Sequence, residues 1–232
     1  MSQPAVSELP FELVYSDGEP LETDWHASQI PLLKEVIRQT MAERGRSDFF
    51  VSGNMFVYYS MEQARDVARG RPYFRGPDVF WVGGAKPRGP RKAWVSWEED
   101  GRLPDVVVEL LSPSTAEIDR TVKKDLYARV FRTSEYYLYD PELRKLEGFR
   151  LVGRTYRPMV LDEEGRLWSE QLGVSLGLWH GVWSGQEADW VRLFRSDGSL
   201  VPTEAEAQSL RAEAAEAEVA RLRRLLEGHG KD

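Results

Sequence analysis

The run from Pro104 to Leu111 restricts the fold more than any other part of the sequence. It is nearly all apolar, with Val106-Val107-Val108 followed by Leu110-Leu111. Successive side chains of a strand point to opposite faces of the sheet, so a run that is apolar at consecutive positions is typical of a strand buried on both faces. The sequence therefore predicts a central strand that other elements cover on both sides.

The composition of the 232 residues is that of an ordinary globular protein. A formal net charge of −7 makes nucleic-acid binding a less expected function, although it does not exclude a local basic groove. The absence of cysteine excludes disulfides and thiolate metal sites, and the three histidines are too scattered to suggest a zinc site. No apolar run approaches the roughly 18 residues of a membrane span. Met1–Pro10 lacks the pattern of a signal peptide, so we expect a cytoplasmic protein.

The remaining patterns predict a mixed α/β (α+β) fold. Thr23 or Asp24 can cap a helix that runs to about Arg44, and Ser112–Thr115 can cap a second helix over about Ala116–Val130. A short helix and a loop are expected over residues 61–76. Further strands are expected at Phe49–Ser60, Asp78–Gly83, Ala93–Trp97, Tyr136–Tyr139, Leu146–Val152, Thr155–Val160, Leu172–Trp183 and Trp190–Phe194, with Gly177 and Gly181 as bends.

The tail differs from the rest, and we divide the chain into a domain over residues 1–201 and a charged C-terminal helix over residues 202–232. A heptad pattern, interrupted only by Gln208, is formed by Ala205, Ala212, Ala215, Val219, Leu222 and Leu226. Two interpretations stay open. The tail is either a solvated helix lying on its own domain or a short dimerising coiled coil, which would make the protein a homo-oligomer.

Glu109 is the anomaly of the predicted central strand, because a carboxylate between Val108 and Leu110 is costly to bury without compensation. It either pairs with an Arg or Lys in a buried salt bridge or binds a metal ion. One carboxylate holds Mg²⁺ poorly, so a metal site needs a second one. Asp105 lies on the same strand but about 13 Å away at ~3.3 Å per residue. Asp78 heads another strand, and if the two strands pair, Asp78 and Glu109 can converge on a single site.

The helix after the central strand offers a third component. Asp119, Lys123 and Tyr127 are spaced i, i+4, i+8 and therefore share one face. We expect this face at the edge of the buried side, next to a buried apolar row formed by Ile118, Val122, Leu126 and Val130. Asp119 and Lys123 are either an ordinary surface pair or part of a site, where Lys123 could orient an attacking water or offset charge in a transition state.

These segments together resemble a known family. The resemblance rests on Pro104–Thr115, on Asp119-x-x-x-Lys123-x-x-x-Tyr127 and on Glu135–Pro141, supported by Gly76-Pro77-Asp78 and Trp25-His26. Their order over most of residues 10–195 is similar to the Uma-type family of restriction-endonuclease-like proteins, within the PD-(D/E)XK nuclease superfamily. The resemblance implies a restriction-endonuclease-like mixed β-sheet flanked by helices, with extra strands C-terminal to this core and a C-terminal helix.

The resemblance also implies a function and a site. A divalent metal, Mg²⁺ or Mn²⁺, would be held by Asp78, Glu109 and the backbone carbonyl of Leu110 for phosphodiester hydrolysis in DNA. The superfamily strand reads Glu-x-Lys, whereas this strand reads Glu109-Leu110-Leu111. Lys123 on the following helix is positioned to replace the missing lysine. The alternative is a nuclease-like fold without catalysis that serves as a nucleic-acid-binding or regulatory module.

Three further features could each belong to the site or have an ordinary structural role. His26 is either a site residue or a structural histidine at the start of the first helix. Glu35 is the acidic residue that this helix could add to the site, but its position on the helix indicates that it faces solvent. The basic loop Lys86–Lys92, together with Arg75, could contact phosphates or be an ordinary solvated loop.

Overall fold

The computed structural model describes residues 5–15, 23–70 and 76–229, with side chains described as far as residue 224. Arg75 lies outside these residues. Residues 1–4 of the segment Met1–Pro10 and residues 230–232 of the tail also lie outside them. No helix of the described chain is long and apolar enough to cross a membrane.

The helices are α1 (Asp24–Glu43), α2 (Met61–Ala68), a helical segment α3 over residues 116–131, and α4 (Glu204–His229). Thr23 caps α1 by accepting a hydrogen bond from the amide of His26, and the expected stripe Ile30, Leu33, Ile37 and Met41 is buried. Segment α3 alternates α-helical turns with two π-helical turns at Asp119–Lys123 and Tyr127–Phe131. Both predicted long helices of the body are thus confirmed within a residue or two.

The strands begin and end as follows: β1 Phe49–Ser52, β2 Val57–Tyr58, β3 Val79–Gly83, β4 Trp94–Val95, β5 Val106–Leu110, β6 Glu135–Asp140, β7 Lys145–Val152, β8 Thr155–Pro158, β9 Leu167–Ser169, β10 Val174–Trp183 and β11 Gln186–Phe194. The main sheet has six strands in the order β1-β3-β5-β6-β7-β8, in which β5 and β6 are parallel and the other pairs antiparallel. Strands β9 to β11 form a second sheet, and β2 pairs with β4. The mixed β-sheet flanked by helices that the resemblance implies is confirmed.

Strand β5 lies at the centre of this arrangement and is buried along its whole length. Val106, Val108 and Leu110 pack toward α1 and the second sheet, whereas Val107 and Leu111 pack toward α3. The prediction of a strand covered on both faces is therefore confirmed. At ~25 cal/mol per Å² of buried apolar surface, such a strand is a main source of the stability of the fold.

Two predictions of detail were wrong. Strand β9 was not expected, because three residues after the turn at Gly165 carry too little periodicity to predict a strand. Gly177 and Gly181 do not bend β10, which runs unbroken beside β11. A Cβ atom on Gly181 would lie 2.2 Å from the ring of Trp179, so this glycine makes room for a neighbouring indole.

The first turn of α4 is fixed to the body. The guanidinium of Arg192, which is fully buried, donates to both carboxylate oxygens of Glu206 at 3.2 and 2.7 Å. The amide of Glu204 donates to Glu35 at 2.8 Å. Glu35 is thus half-buried at the start of α4, which corrects the expectation that it faces solvent. The division of the chain at residue 201 stays a prediction.

Candidate metal and active site

The pairing of β3 with β5 brings Asp78 and Glu109 together. The two strands are antiparallel, with Val79 opposite Val108, so the residues just beyond this pair face each other. The amide of Asp78 donates to Oε2 of Glu109 at 3.1 Å, and the amide of Leu110 donates to Oδ2 of Asp78 at 2.7 Å. The strand pairing that the sequence argument required is present.

A glycine-containing turn holds the backbone at Asp78. The amide of Asn54 donates to the carbonyl oxygens of Pro77 and Asp78 at 3.2 and 3.1 Å. A Cβ atom on Gly53 would lie 2.3 Å from the Asp78 carbonyl oxygen, and one on Gly76 would lie 2.0 Å from the Met55 carbonyl oxygen. Only glycine permits these two close backbone approaches, and this explains the glycine in the Gly76-Pro77-Asp78 run.

Asp105 lies at the opposite end of β3. Its Oδ2 accepts a hydrogen bond from the amide of Gly83 at 2.7 Å, whereas Asp78 precedes the first residue of that strand. Asp105 is half-buried. Asp105 and Glu109 therefore have different partners and do not form one site.

Segment α3 adds a cation and two further polar groups. The Lys123 ammonium lies 3.2 Å from Oε1 of Glu109 and 2.6 Å from Oδ1 of Asp119. The Tyr127 hydroxyl donates to Oε1 of Glu109 at 2.7 Å. The three residues that share one face of the helix thus meet the carboxylate of the central strand.

The orientation of α3 corrects one prediction. Asp119 and Tyr127 are 1% and 0% exposed, whereas three members of the expected buried row, Ile118, Val122 and Val130, are 46%, 61% and 45% exposed. A buried carboxylate without donors costs several kcal/mol. Half-exposing an aliphatic side chain costs less than the ~1.5–3 kcal/mol of full exposure. The helix therefore turns its donors, and not its apolar row, toward Glu109.

Burial raises the pKa of all three carboxyl groups around Lys123. The pKa of Glu109 is raised to about 7, chiefly by loss of solvent and also by the neighbouring Asp78, although Lys123 opposes the shift. Burial and Glu109 together raise the pKa of Asp119 to about 6. Burial also raises the pKa of Asp78. Each shift has the sign expected for anionic groups that are short of compensating positive charge.

Among the described residues, the charges of this cluster do not balance. Asp78, Glu109 and Asp119 carry three formal negative charges when ionised, and Lys123 supplies one positive charge. The carboxylates overcome the effect of burial and raise the pKa of Lys123, so the ammonium keeps its proton. Asp78 is half-buried as a residue, and burial raises the pKa of its carboxyl group. A buried salt bridge alone, the simpler interpretation of Glu109, would leave this excess charge uncompensated.

The donor set fits a hard divalent cation. Mg²⁺ is typically bound through one or two carboxylates and keeps several waters. Within the described parts of the chain, no three His, Cys, Asp or Glu side chains form a ready metal cluster. The Leu110 amide points to Asp78, and in a strand the carbonyl of a residue points to the same side as its amide. The Leu110 carbonyl is therefore on the side of Asp78, as the predicted ligand set requires.

His26 lies outside the hydrogen bonds of this cluster. Its Nδ1 is 2.7 Å from the Thr23 hydroxyl, and its buried Nε2 has no hydrogen-bond partner among the described residues. It lines a cleft together with Leu111 and Ser112, which follow the site strand directly. The structure brings Asp78, Glu109, Leu110 and Lys123 together and places His26 beside the end of β5.

Three of the four basic side chains of the loop Lys86–Lys92 pair with the acidic turn that follows it. Lys86 pairs with Asp100 at 2.7 Å, Arg88 with Glu98 at 3.2 Å, and the buried Arg91 with Glu99 at 2.7 Å. These charges are satisfied within the chain, which favours an ordinary surface loop over a phosphate-binding one.

Sequence reasoning missed a second buried carboxylate, Glu135 on β6. It is 1% exposed and accepts hydrogen bonds from the Ser169 hydroxyl, from the Glu170 amide at 2.8 Å and from the Tyr137 hydroxyl at 3.2 Å. The sequence contained an indication of this carboxylate. Glu135 directly precedes the predicted strand Tyr136–Tyr139, just as Glu109 interrupts an apolar strand. Two of its donors, Ser169 and Glu170, lie on or next to β9 of the second sheet, whose contribution the sequence did not reveal. Glu135 is a compensated structural carboxylate, in contrast to Glu109.

Residues 6–214 match the protein-family model Uma2, described as "Putative restriction endonuclease". A search of curated proteins found no match.

Proposed function

This chain belongs to the Uma2 family of putative restriction endonucleases, and on that premise we propose that it is a metal-dependent endonuclease that hydrolyses phosphodiester bonds in DNA. The observation that carries the proposal is the excess of carboxylates over cations around Glu109. Among the described residues, three carboxyl groups with raised pKa values surround one lysine.

Asp78, Glu109 and the Leu110 carbonyl are the proposed ligands of Mg²⁺ or Mn²⁺. A bound divalent ion supplies a more acidic water and offsets negative charge on the phosphate. In hydrolysis a water oxygen forms a bond to phosphorus and loses a proton, while the bond to one ester oxygen breaks and that oxygen gains a proton. The substrate class comes from the family, and DNA is the proposed partner.

Each residue around the ligands has a role in this proposal. The Lys123 ammonium orients the attacking water and offsets charge on the phosphate oxygens, as the strand lysine does in the superfamily signature. Asp119 holds Lys123 in place at 2.6 Å, and Tyr127 fixes the carboxylate of Glu109 at 2.7 Å. His26 is proposed as a site residue that lies beside the end of β5. The cytoplasm is the proposed location of this activity.

A catalytically inactive nuclease-like module remains the alternative function, since Leu111 replaces the strand lysine. The short distance between Lys123 and Glu109 supports the catalytic proposal, because it puts an ammonium group back beside the ligand.

Millimolar Mn²⁺ or Mg²⁺ is expected to raise the melting temperature of the protein. Binding to the folded state at 100 times Kd adds ~2.7 kcal/mol, which corresponds to a rise of about 5–10 °C for a chain of this size. Asp78→Ala should abolish the rise, because it removes one of two carboxylate ligands. Differential scanning fluorimetry measures both.

Asp105→Ala is the matched control, since this aspartate lies on the neighbouring strand away from the cluster and should leave the rise intact. Melting that does not change with metal, or that shifts equally in Asp78→Ala, would contradict the proposed metal site.

A further inference from the structure

Helix α4 leaves the body of the protein after its first turn. Ala207 is its last buried residue, and from Gln208 to Arg224 every described side chain is exposed except Ala220, which is half-buried. The helix therefore does not lie on its own domain. Three large apolar side chains remain in solvent along it: Leu210 at 58%, Val219 at 46% and Leu222 at 47% exposure.

The exposed part carries the heptad seam of a coiled coil. With Ala205 at position a, the a positions continue at Ala212 and Val219, and the d positions are Gln208, Ala215 and Leu222. Most of the stability of helices in proteins comes from packing of their apolar face. The seam is therefore an unpartnered apolar face that lacks a cover within the described chain.

The charges beside the seam fit a second copy of the same helix. Positions g are Arg211 and Glu218, and positions e include Glu216 and Arg223. In a parallel pair in register, each g side chain faces the following e side chain of the other helix. Arg211 then faces Glu216, and Glu218 faces Arg223, so all these contacts join opposite charges.

The same side chains do not form competing buried pairs. Arg211 contacts Glu204 at 3.0 Å and Glu218 contacts Arg221 at 2.8 Å, with all four side chains at least half exposed. Exposed pairs of this kind contribute ~0–1 kcal/mol. They can exchange for pairs between helices at little cost.

We propose that residues 208–224 of α4 form a parallel, in-register coiled coil with a second copy of this chain, so that the protein is a homodimer. The start of α4 is tied to each body by the pair of the buried Arg192 with Glu206. A parallel arrangement therefore holds the two bodies at the same end of the coiled coil. The polar Gln208 at a d position contributes to the choice of register.

Light scattering coupled to size-exclusion chromatography tests the seam. The full chain should have twice the mass of one copy, and Val219→Asp with Leu222→Asp should halve it. Leu210→Asp is the matched control, because Leu210 is the most exposed of the three apolar residues and lies at position f, off the seam. A monomeric full chain, or a seam variant that keeps the double mass, would overturn the proposal.

Charge reversal tests orientation and register. Arg211→Glu with Arg223→Glu makes both cross-helix contacts repulsive, and Glu216→Arg with Glu218→Arg does so with the opposite sign. Each variant alone should be monomeric, whereas an equimolar mixture should restore a dimer containing one chain of each kind. Dimers of either variant alone would exclude the parallel, in-register pairing. These surface changes leave the body folded, which an unchanged melting transition checks.

Discussion

Replacement of Glu109 by Gln is expected to abolish DNA cleavage while stabilising the folded protein at neutral and alkaline pH. An amide is a weak, uncharged metal ligand. Changes to groups that merely orient a ligand typically cost about 10–100-fold, so loss of a ligand itself should lower the cleavage rate by more than about 100-fold. Cleavage of supercoiled plasmid in the presence of Mn²⁺ measures this loss.

The effect on stability follows from the raised pKa of Glu109. The folded protein keeps the proton up to a pKa of about 7, whereas the unfolded chain loses it near the ordinary value of 4.5. The folded state therefore binds more protons between these values, and this carboxyl group lowers the free energy of unfolding as pH rises through that window. At pH values below 4.5 the buried carboxyl group is protonated and does not lower the free energy of unfolding. At pH values above about 7 it is charged and lowers the free energy of unfolding by the full amount.

Glu109→Gln removes this cost. One pKa unit corresponds to ~1.36 kcal/mol, so the shift amounts to a few kcal/mol, of which about 1 kcal/mol is offset by a lost hydrogen bond. The variant should gain roughly 1–3 kcal/mol at about pH 8 without metal and nothing at about pH 4. Urea unfolding at the two pH values measures the difference.

Glu135→Gln is the matched control, because it changes an equally buried carboxylate that is fully provided with donors. Leaving those donors unpaired should destabilise the fold by about 1–3 kcal/mol, while cleavage by the folded protein stays unchanged. If Glu109→Gln destabilised the protein as Glu135→Gln does, Glu109 would be a structural carboxylate and the metal site would lose its main support.

Lys123→Ala is expected to lower cleavage by about 10²–10³-fold, the usual cost of removing one preorganised electrostatic group. It should also destabilise the protein without metal, because three carboxyl groups then lose the one cation that the described residues place beside them. Millimolar Mn²⁺ should recover much of this stability, since the ion supplies the missing charge. Plasmid cleavage and melting temperature, each with and without Mn²⁺, separate the two effects.

Lys124→Ala controls for loss of a lysine from the same helix, because Lys124 packs over the ring of Phe149 and not on the cluster. It should cleave DNA at the rate of the unaltered protein. Lys123→Ala protein that is folded with Mn²⁺ and cleaves as fast as this control would show that Lys123 is only a structural counter-charge. DNA binding without cleavage by the unaltered chain would favour the inactive module.

Local patterns made much of the site predictable. Strand β5 was evident from consecutive apolar residues, and Glu109 was evident as the one charge inside that run. Asp78 followed from simple distances, because strand geometry excluded Asp105 and allowed a neighbouring strand to converge. Asp119, Lys123 and Tyr127 were found by their helical spacing alone.

Tertiary effects account for what was missed. The apolar spacing of Ile118, Val122 and Val130 predicted the wrong buried face of α3, because the need of Glu109 for donors outweighs the burial of three aliphatic side chains. The pairing of Lys86–Lys92 with the next turn depends on loop geometry that residue types do not reveal. Glu135 was passed over because its donors come from a different sheet.

A crystal structure of the protein soaked with Mn²⁺, with the metal located by its anomalous scattering, tests the central claim most directly. We expect one ion bound directly by oxygens of Asp78, Glu109 and the Leu110 carbonyl, with the Lys123 ammonium close by. Absence of Mn²⁺ from this position, with Lys123 still paired to Glu109, would contradict the account and leave Glu109 as half of a buried salt bridge.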